Sequence, residues 1–140
     1  MCTRIRAELS PKNKYWISRH RYYELKHFCL QYPMWKKAYS ALDDLTIKSP
    51  ILEERLSSGG AYSDPTAKWG MARAFYSERI DMIRKVAMAT DEDLYIYILK
   101  AVTEDLSYTH LKSRLDIPCG KDMYYDRYRK FFWLLSKERE

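Results

Sequence analysis

The sequence predicts an all-α protein of five to six helices that ends in a C-terminal helix-turn-helix. The chain has only 4 glycines and 5 prolines among its 140 residues, which leaves room for few turns. Hydrophobic residues make up 46% of the chain, enough for a core, and many of them recur at helical spacing. These observations favour helices joined by few loops over a sheet protein.

The charges are distributed unevenly along the chain. The net charge is +6, with +7 in residues 1–39, −4 in residues 40–110 and +3 in residues 111–140. Two basic ends around an acidic middle suit a polyanionic partner. The alternative is that a small cationic protein is simply cationic and has no such partner.

The cysteines and the hydropathy predict a soluble, cytoplasmic protein with no membrane partner. Cys2, Cys29 and Cys119 are odd in number and form no CxxC pair, so neither a disulfide framework nor a cysteine zinc site is indicated. Free thiols suit the reducing cytosol. The longest apolar run, LYIYIL at 94–99, is too short to span a bilayer, and MCTRIRAELSPKNK lacks the apolar core of a signal peptide.

Residues 1–15 are predicted to form a flexible basic arm that precedes an N-terminal helical pair at 16–45. The first helix of the pair covers about 18–31, and Pro33 begins the second because proline favours the first helical turn. The predicted inward residues are Tyr22, Leu25, Phe28 and Cys29 in the first helix, and Trp35, Ala38, Tyr39 and Leu42 in the second.

Residues 46–64 are predicted to be a mobile linker, since they contain a proline and the Gly-Gly pair. Residues 65–140 are predicted to form a helical domain. Asp64 is the predicted N-cap of a long helix with Pro65 in its first turn. The apolar residues of this helix are Trp69, Tyr76, Ile80, Ile83 and Ala87. Their heptad-like spacing would suit a homodimer seam, but Arg73 interrupts the stripe and an ordinary bundle helix is favoured.

Thr90 and Asp93 resemble a capping box at the start of the next helix, with Asp in place of the usual Glu. The predicted inward residues of that helix are Leu94, Ile98, Ala101 and Val102.

The predicted helix-turn-helix occupies residues 106–138. Ser107 caps its short first helix, and Ile117 in the turn enters the core, while Pro118 and Gly120 force the chain to turn. Asp122 is the predicted cap of the last helix. The inward residues are Tyr108, Leu111 and Leu115, then Tyr124, Tyr128, Phe131 and Leu135.

This helix pair predicts a protein that reads double-stranded DNA, because the second helix of a helix-turn-helix enters the major groove. Arginine can pair bidentately with guanine, whereas lysine mostly neutralises phosphate. Asp122 and Asp126 oppose DNA binding unless Asp122 caps the helix and Asp126 pairs with Arg129 or Lys130. The predicted DNA-binding residues are Ser107, Tyr108 and Lys112 at the phosphates, then Lys121, Tyr125, Arg129 and Lys130, with Arg127 at the margin.

The order of these features is similar to that of phage late-operon transcriptional regulators of the RinA and ArpU type. The resemblance is carried by QYPMWKKAYSALDDL, by GG followed by SDPTAKWGMARAFYSERID, and by TDEDLYIYILKAV leading into LSYTHLKSRLDIPCGKDMYYDRYRKFFWLL. It implies a C-terminal helix-turn-helix like region 4 of sigma-70-type factors, and a bacterial or phage DNA-binding transcription regulator. The corner DIPCG-KD departs from the Ser or Thr cap that such proteins more often have.

The sequence predicts no enzyme, no metal and no cofactor. His20, Glu24 and His27 lie along one helix face, but the histidines are two turns apart and a metal needs three or four converging ligands. Cys119 stands near a helix N-terminus, a position that lowers a thiol pKa, yet no histidine and acid are placed beside it. None of the motifs GxxxxGK[ST], GxGxxG, GxSxG or HExxH occurs.

Two other functions remain open from the sequence. The acidic middle could be the working surface of a phage-encoded inhibitor (an anti-CRISPR protein) that binds a host nuclease such as a CRISPR effector. Alternatively the chain could be a small terminase subunit, which would form a ring. RNA polymerase is a further candidate partner of a DNA-binding regulator.

Overall fold

The computed structural model describes residues 12–48 and 65–140, and these ranges contain helices and turns but no strand. The protein is all-α, as predicted. No helix in the described ranges combines the length and the apolar character needed to cross a membrane. The helices are α1 Arg19–Leu30, α2 Tyr32–Lys48, α3 Pro65–Thr90, α4 Tyr95–Glu104, α5 Tyr108–Leu115 and α6 Lys121–Glu138.

The described residues divide into two compact units, one formed by 12–32 and 82–140 and the other by 33–48 and 65–81. This differs from the predicted division into a helical pair at 16–45 and a domain at 65–140. The reason is that α1 packs against α4 and α6, which lie at the other end of the chain. The predicted linker at 46–64 starts too early, since α2 continues to Lys48, and its remainder lies outside the described residues.

In the first unit, α1 packs against α4 and α6, and α4 also packs against α5 and α6. The inward stripes predicted for α1, α4 and α6 are all buried, as expected from apolar side chains spaced three and four residues apart. Phe132 on α6 is also fully buried, although the predicted stripe did not include it. The residues with no exposed surface include Leu25, Cys29, Ile98, Leu111, Ile117, Phe131, Phe132 and Leu135.

In the second unit, a contact between α2 and α3 is formed by Arg73. Its guanidinium lies 2.6 Å from the Asp43 carboxylate and 3.4 Å from the Tyr39 hydroxyl. On the same stretch of α3, Met71 and Phe75 are exposed, and the Arg79 guanidinium covers the Phe75 ring at 3.4 Å. The Arg73 side chain that interrupts the apolar stripe therefore ties α3 to α2.

The turn between α3 and α4 is capped by a different residue from the predicted one. Thr90 is the last residue of α3, is buried, and donates its hydroxyl to the Val86 carbonyl at 2.7 Å. Asp91 caps this turn instead, because its Oδ1 accepts the backbone N–H groups of Asp93 at 2.9 Å and of Leu94 at 3.1 Å. The predicted Thr90–Asp93 capping box is therefore wrong, because the Thr90 hydroxyl bonds back into α3 and does not accept an N–H of the next helix.

The segment before α1 contacts α6. Residues 12–15 form a turn, in which Asn13 accepts the Tyr15 N–H through its side chain and the Trp16 N–H through its carbonyl. The Tyr15 ring lies 5.4 Å from the Trp133 ring of α6, measured between centroids. The described end of the predicted arm at 1–15 is thus held on α6, while residues 1–11 lie outside the described ranges.

Two buried tyrosines on adjacent turns of α6 differ in whether their hydroxyl groups form a hydrogen bond. The Tyr128 hydroxyl lies 2.7 Å from the Tyr22 hydroxyl of α1, whereas the buried Tyr124 hydroxyl has no hydrogen-bond partner among the described residues. Burial raises the pKa of both phenols, so both are neutral over the physiological range.

We expect the same chemical change at these two positions to have opposite effects on stability. Tyr124→Phe removes an unsatisfied buried hydroxyl and should raise the free energy of unfolding by about 1 kcal/mol. Tyr128→Phe removes one side of a buried hydrogen bond and should lower it by about 1–2 kcal/mol. Urea unfolding with an unchanged m-value measures both. Equal effects of the two substitutions would contradict the contrast between the two hydroxyls.

Candidate nucleic-acid interface

The side chains of α5 that were predicted at DNA phosphates make local contacts that build the turn. Ser107 is the N-cap of α5, as predicted, and its Oγ accepts the His110 N–H at 3.2 Å. The Tyr108 hydroxyl donates to the Cys119 carbonyl at 2.8 Å, and the Lys112 ammonium donates to the Ile117 carbonyl at 3.3 Å. These contacts fix the path of residues 116–120 between α5 and α6.

The turn itself begins at Asp116, which has a left-handed backbone with φ 51° and ψ 51°. Asp is among the few non-glycine residues that adopt this conformation readily. Ile117 follows, fully buried as predicted, and its N–H bonds to the Leu111 carbonyl at 3.2 Å. Gly120 has a φ of −77°, open to any residue, so the change of direction depends on Asp116 and not on the predicted glycine.

The N-cap of the last helix lies two residues earlier than predicted. Gly120 is the N-cap, with extended backbone and no side-chain cap, and Asp122 lies in the first turn of α6. The prediction that Asp122 caps the helix is therefore wrong, although its negative charge still complements the helix dipole there. Lys121 is exposed, and its ammonium lies 5.8 Å from the centre of the Tyr125 ring.

Arg127 connects α6 to the turn between α3 and α4. Its Nε donates to Asp91 Oδ2 at 2.8 Å, and another guanidinium nitrogen lies 2.6 Å from Asp126 Oδ2. The condition that Asp126 pairs with Arg129 or Lys130 is not met, because Asp126 pairs with its neighbour Arg127 instead. Burial alone would raise the pKa of Asp91, but hydrogen bonds from Arg127 and from the backbone of Asp93 and Leu94 outweigh it and lower that pKa.

Arg129 and Lys130 differ from Arg127 in their surroundings. Both are half-buried, and neither makes a hydrogen bond or an ion pair with any residue in the described part of the chain. On the helix they lie roughly opposite the buried stripe of Tyr124 and Phe131, since successive residues turn by about 100°. Their donor groups are therefore available to a ligand.

Further along the same side of α6, Trp133 carries contacts that the sequence did not reveal. The Lys137 ammonium lies over its ring at 3.4 Å, and the Tyr15 ring lies against it. The Lys14 ammonium in turn lies 4.9 Å from the centre of the Tyr15 ring. Only the spacing of Trp133 and Lys137, one helical turn apart, could have been noticed in the sequence.

The candidate chemistry at Cys119 and at the histidines of α1 finds no support. Burial raises the pKa of the Cys119 thiol, opposite to the lowering expected near a helix N-terminus. Glu24 pairs with Arg21. In the described ranges no group of three His, Cys, Asp or Glu residues is arranged to hold a metal ion.

No protein-family model matches the sequence, and comparisons with curated proteins and with solved structures find no significant match. In the structure the predicted DNA-binding residues fall into three groups. Lys121 and Tyr125 contact each other, with the Lys121 ammonium 5.8 Å from the centre of the Tyr125 ring. Ser107, Tyr108, Lys112 and Arg127 hold the turn and α6 in place, whereas Arg129 and Lys130 leave their charged groups available.

Proposed function

We propose that the protein binds double-stranded DNA in a sequence-specific manner and regulates transcription. In this proposal α5, the turn at 116–120 and α6 act as a helix-turn-helix, with α6 in the major groove. Arg129 reads a base edge and Lys130 neutralises a phosphate. The resemblance to phage late-operon regulators supports a phage-derived regulator that acts in the cytoplasm.

The observation that carries this proposal is the state of the charged groups on α6. Arg127 is engaged by Asp91 and Asp126, whereas Arg129 and Lys130 make no hydrogen bond or ion pair within the described ranges. Cations without a carboxylate partner carry uncompensated positive charge, which suits a polyanionic ligand. Arg127 also pairs with Asp126, which reduces the repulsion that this carboxylate would exert on a phosphate.

The decisive experiment is selection of bound sequences from a pool of random 40-base-pair duplexes, followed by titration of the enriched duplex over a range of salt concentrations. We expect one enriched motif, bound at least about 1,000-fold more tightly than the unselected pool. A matched scrambled duplex is the control. Binding that depends on salt but enriches no motif would contradict sequence-specific recognition.

A second candidate function, inhibition of a host nuclease by direct binding, is supported by the surface near the α3–α4 turn. Glu92 and Asp93 are exposed there, and Met88 and Ile96 on the adjacent helix ends expose 51% and 60% of their surface. Acidic and apolar groups together suit a basic, partly apolar protein surface. Recovery of a nuclease from nuclease-treated host lysate, lost on Glu92→Lys with Asp93→Lys, would favour this function over DNA binding.

A further inference from the structure

The outward side of α6 continues beyond Arg129 and Lys130 into a second group of cations. Arg129, Lys130, Trp133 and Lys137 are spaced one, three and four residues apart and lie on the same side of the helix. From Arg129 to Lys137 they extend over about 12 Å of helix axis. Tyr15 packs on Trp133 from another part of the chain and brings Lys14 to this side.

We propose that Lys14 and Lys137, held by Tyr15 and Trp133, form a phosphate-binding extension of the α6 interface. The ligand is the phosphodiester backbone of the same duplex. Lysine suits this role because its ammonium is a compact point charge that contacts phosphate without reading a base. The inference rests on the proposed DNA binding and adds to it the region of duplex backbone that the C-terminal half of α6 contacts.

The charges along α6 support this placement. Lys14 and Lys137 contact aromatic rings but form no ion pair with a carboxylate in the described ranges. By contrast, Lys26 pairs with Asp105 and Lys85 pairs with Glu138 in the same unit. At the opposite end of α6 the outward side carries the acidic residues Asp122 and Asp126. Uncompensated positive charge is therefore concentrated in the second half of the helix.

The aromatic contacts explain how these lysines are held near α6. The Lys137 ammonium lies 3.4 Å from the Trp133 ring centre, and the Tyr15 and Trp133 rings are tilted by 59° at 5.4 Å. Cation–π contacts of this kind are worth about 0.5–1 kcal/mol at exposed sites and leave ammonium protons for a ligand. Because Lys137 lies over the Trp133 ring, this indole is poorly placed to stack a base, so the surface suits a duplex rather than a single strand.

The test uses a double variant and a charge-matched control. The double variant carries Lys14→Gln and Lys137→Gln, and the control carries Lys68→Gln and Lys100→Gln, at exposed positions on α3 and α4. The plot of log affinity against log salt has a slope of about −0.9 per phosphate contact. The double variant should therefore have a slope shallower by about 2 and bind the selected duplex about 60-fold more weakly at 0.1 M salt. The control should bind within about threefold of wild type, because neither of its lysines is on α6 or in the segment that packs on Trp133.

A separate binding measurement tests whether Tyr15 positions Lys14. If Tyr15 positions Lys14, then Tyr15→Ala should weaken duplex binding about as much as Lys14→Gln, and the two changes together should cost no more than either alone. Additive losses would show that Lys14 acts without this anchor and would overturn that part of the proposal. The urea-unfolding midpoint of each variant separates a binding effect from a loss of folding.

The outcomes distinguish this inference from the function on which it rests. One outcome is that the Lys14→Gln, Lys137→Gln variant keeps the wild-type affinity and salt slope while reversal of Arg129 and Lys130 still abolishes binding. That result would overturn the phosphate-binding extension and leave the assignment of α6 as recognition helix intact. Absence of duplex binding by the wild-type protein at 0.1 M salt would overturn both. A larger loss for single-stranded DNA than for duplex would contradict the assignment to duplex backbone.

Discussion

Replacing both Arg129 and Lys130 by glutamate is expected to weaken duplex binding by about 100-fold or more at 0.1 M salt. Loss of the one phosphate contact assigned to Lys130 corresponds to about 8-fold at this salt concentration. Two new negative charges facing the backbone add repulsion, and a lost arginine–guanine pair would add about 1–3 kcal/mol at a specific site. Fluorescence anisotropy with a labelled duplex measures the change directly.

Folding should be nearly unaffected by this double reversal. Neither side chain forms a hydrogen bond or ion pair among the described residues, so no such internal contact is broken. The largest expected cost is repulsion between a glutamate at position 130 and Asp126 one turn earlier, about 0.5 kcal/mol. The urea midpoint should therefore stay close to that of wild type.

The matched control reverses Lys68 and Lys100, which gives the same change in net charge at exposed positions on α3 and α4. If this control weakens binding as much as the α6 variant does, the interaction reflects net charge alone and α6 is not the recognition element. A conservative change, Arg129→Lys, separates base reading from phosphate neutralisation. It should reduce the preference for the selected motif and keep most of the affinity for unselected duplex.

The positions of the helices and their buried stripes could be predicted from the sequence because helical periodicity is a local property. Tyr22, Leu25 and Cys29 in α1, for example, are buried at the predicted spacing. The helix caps were predicted less well. Adjacent polar residues compete for the same backbone N–H groups, so Asp91 takes the role expected of Thr90. At the start of α6 the N-cap is Gly120, which has no capping side chain, and Asp122 lies within the helix.

The contacts that define the candidate interface could not be predicted because they join residues far apart in the sequence. Arg127 and Asp91 are 36 residues apart, and no local pattern indicates that the α3–α4 turn meets α6. The contact of Tyr15 with Trp133 likewise depends on how the segment before α1 is placed on the last helix. The sequence made all three cations candidates for DNA binding, with Arg127 at the margin, whereas tertiary contacts separate Arg127 from Arg129 and Lys130.

The largest effect on stability is expected from Phe132→Ala, which should lower the free energy of unfolding by about 3–5 kcal/mol. Phe132 is fully buried, and its ring centre lies 5.1 Å from Tyr22, 4.9 Å from Tyr128 and 5.1 Å from Phe131. The substitution removes both the buried area and the edge-to-face ring contacts. Because small domains are stable by only about 5–15 kcal/mol, much of the stability would be lost.

The exposed Phe75 on α3 provides a control of the same chemistry. It exposes 44% of its surface, and we expect Phe75→Ala to cost about 1 kcal/mol or less, mainly through the lost Arg79 contact. If Phe132→Ala does not fold, Phe132→Leu keeps most of the volume and should cost roughly 1–2 kcal/mol in urea unfolding. A cost for Phe132→Leu no larger than that for Phe75→Ala would contradict the packing described for α1 and α6.

This prediction also tests why the buried face of α6 is wider than the sequence indicated. At about 100° per residue Phe132 lies about 80° from Tyr124, outside the narrow stripe formed by Tyr124, Tyr128, Phe131 and Leu135. A helix packed against one neighbour buries such a stripe, whereas α6 packs against both α1 and α4. The second neighbour, α1, covers Phe132 through Tyr22, and the side of α6 that remains uncovered is correspondingly restricted to the sector of Arg129, Lys130 and Trp133.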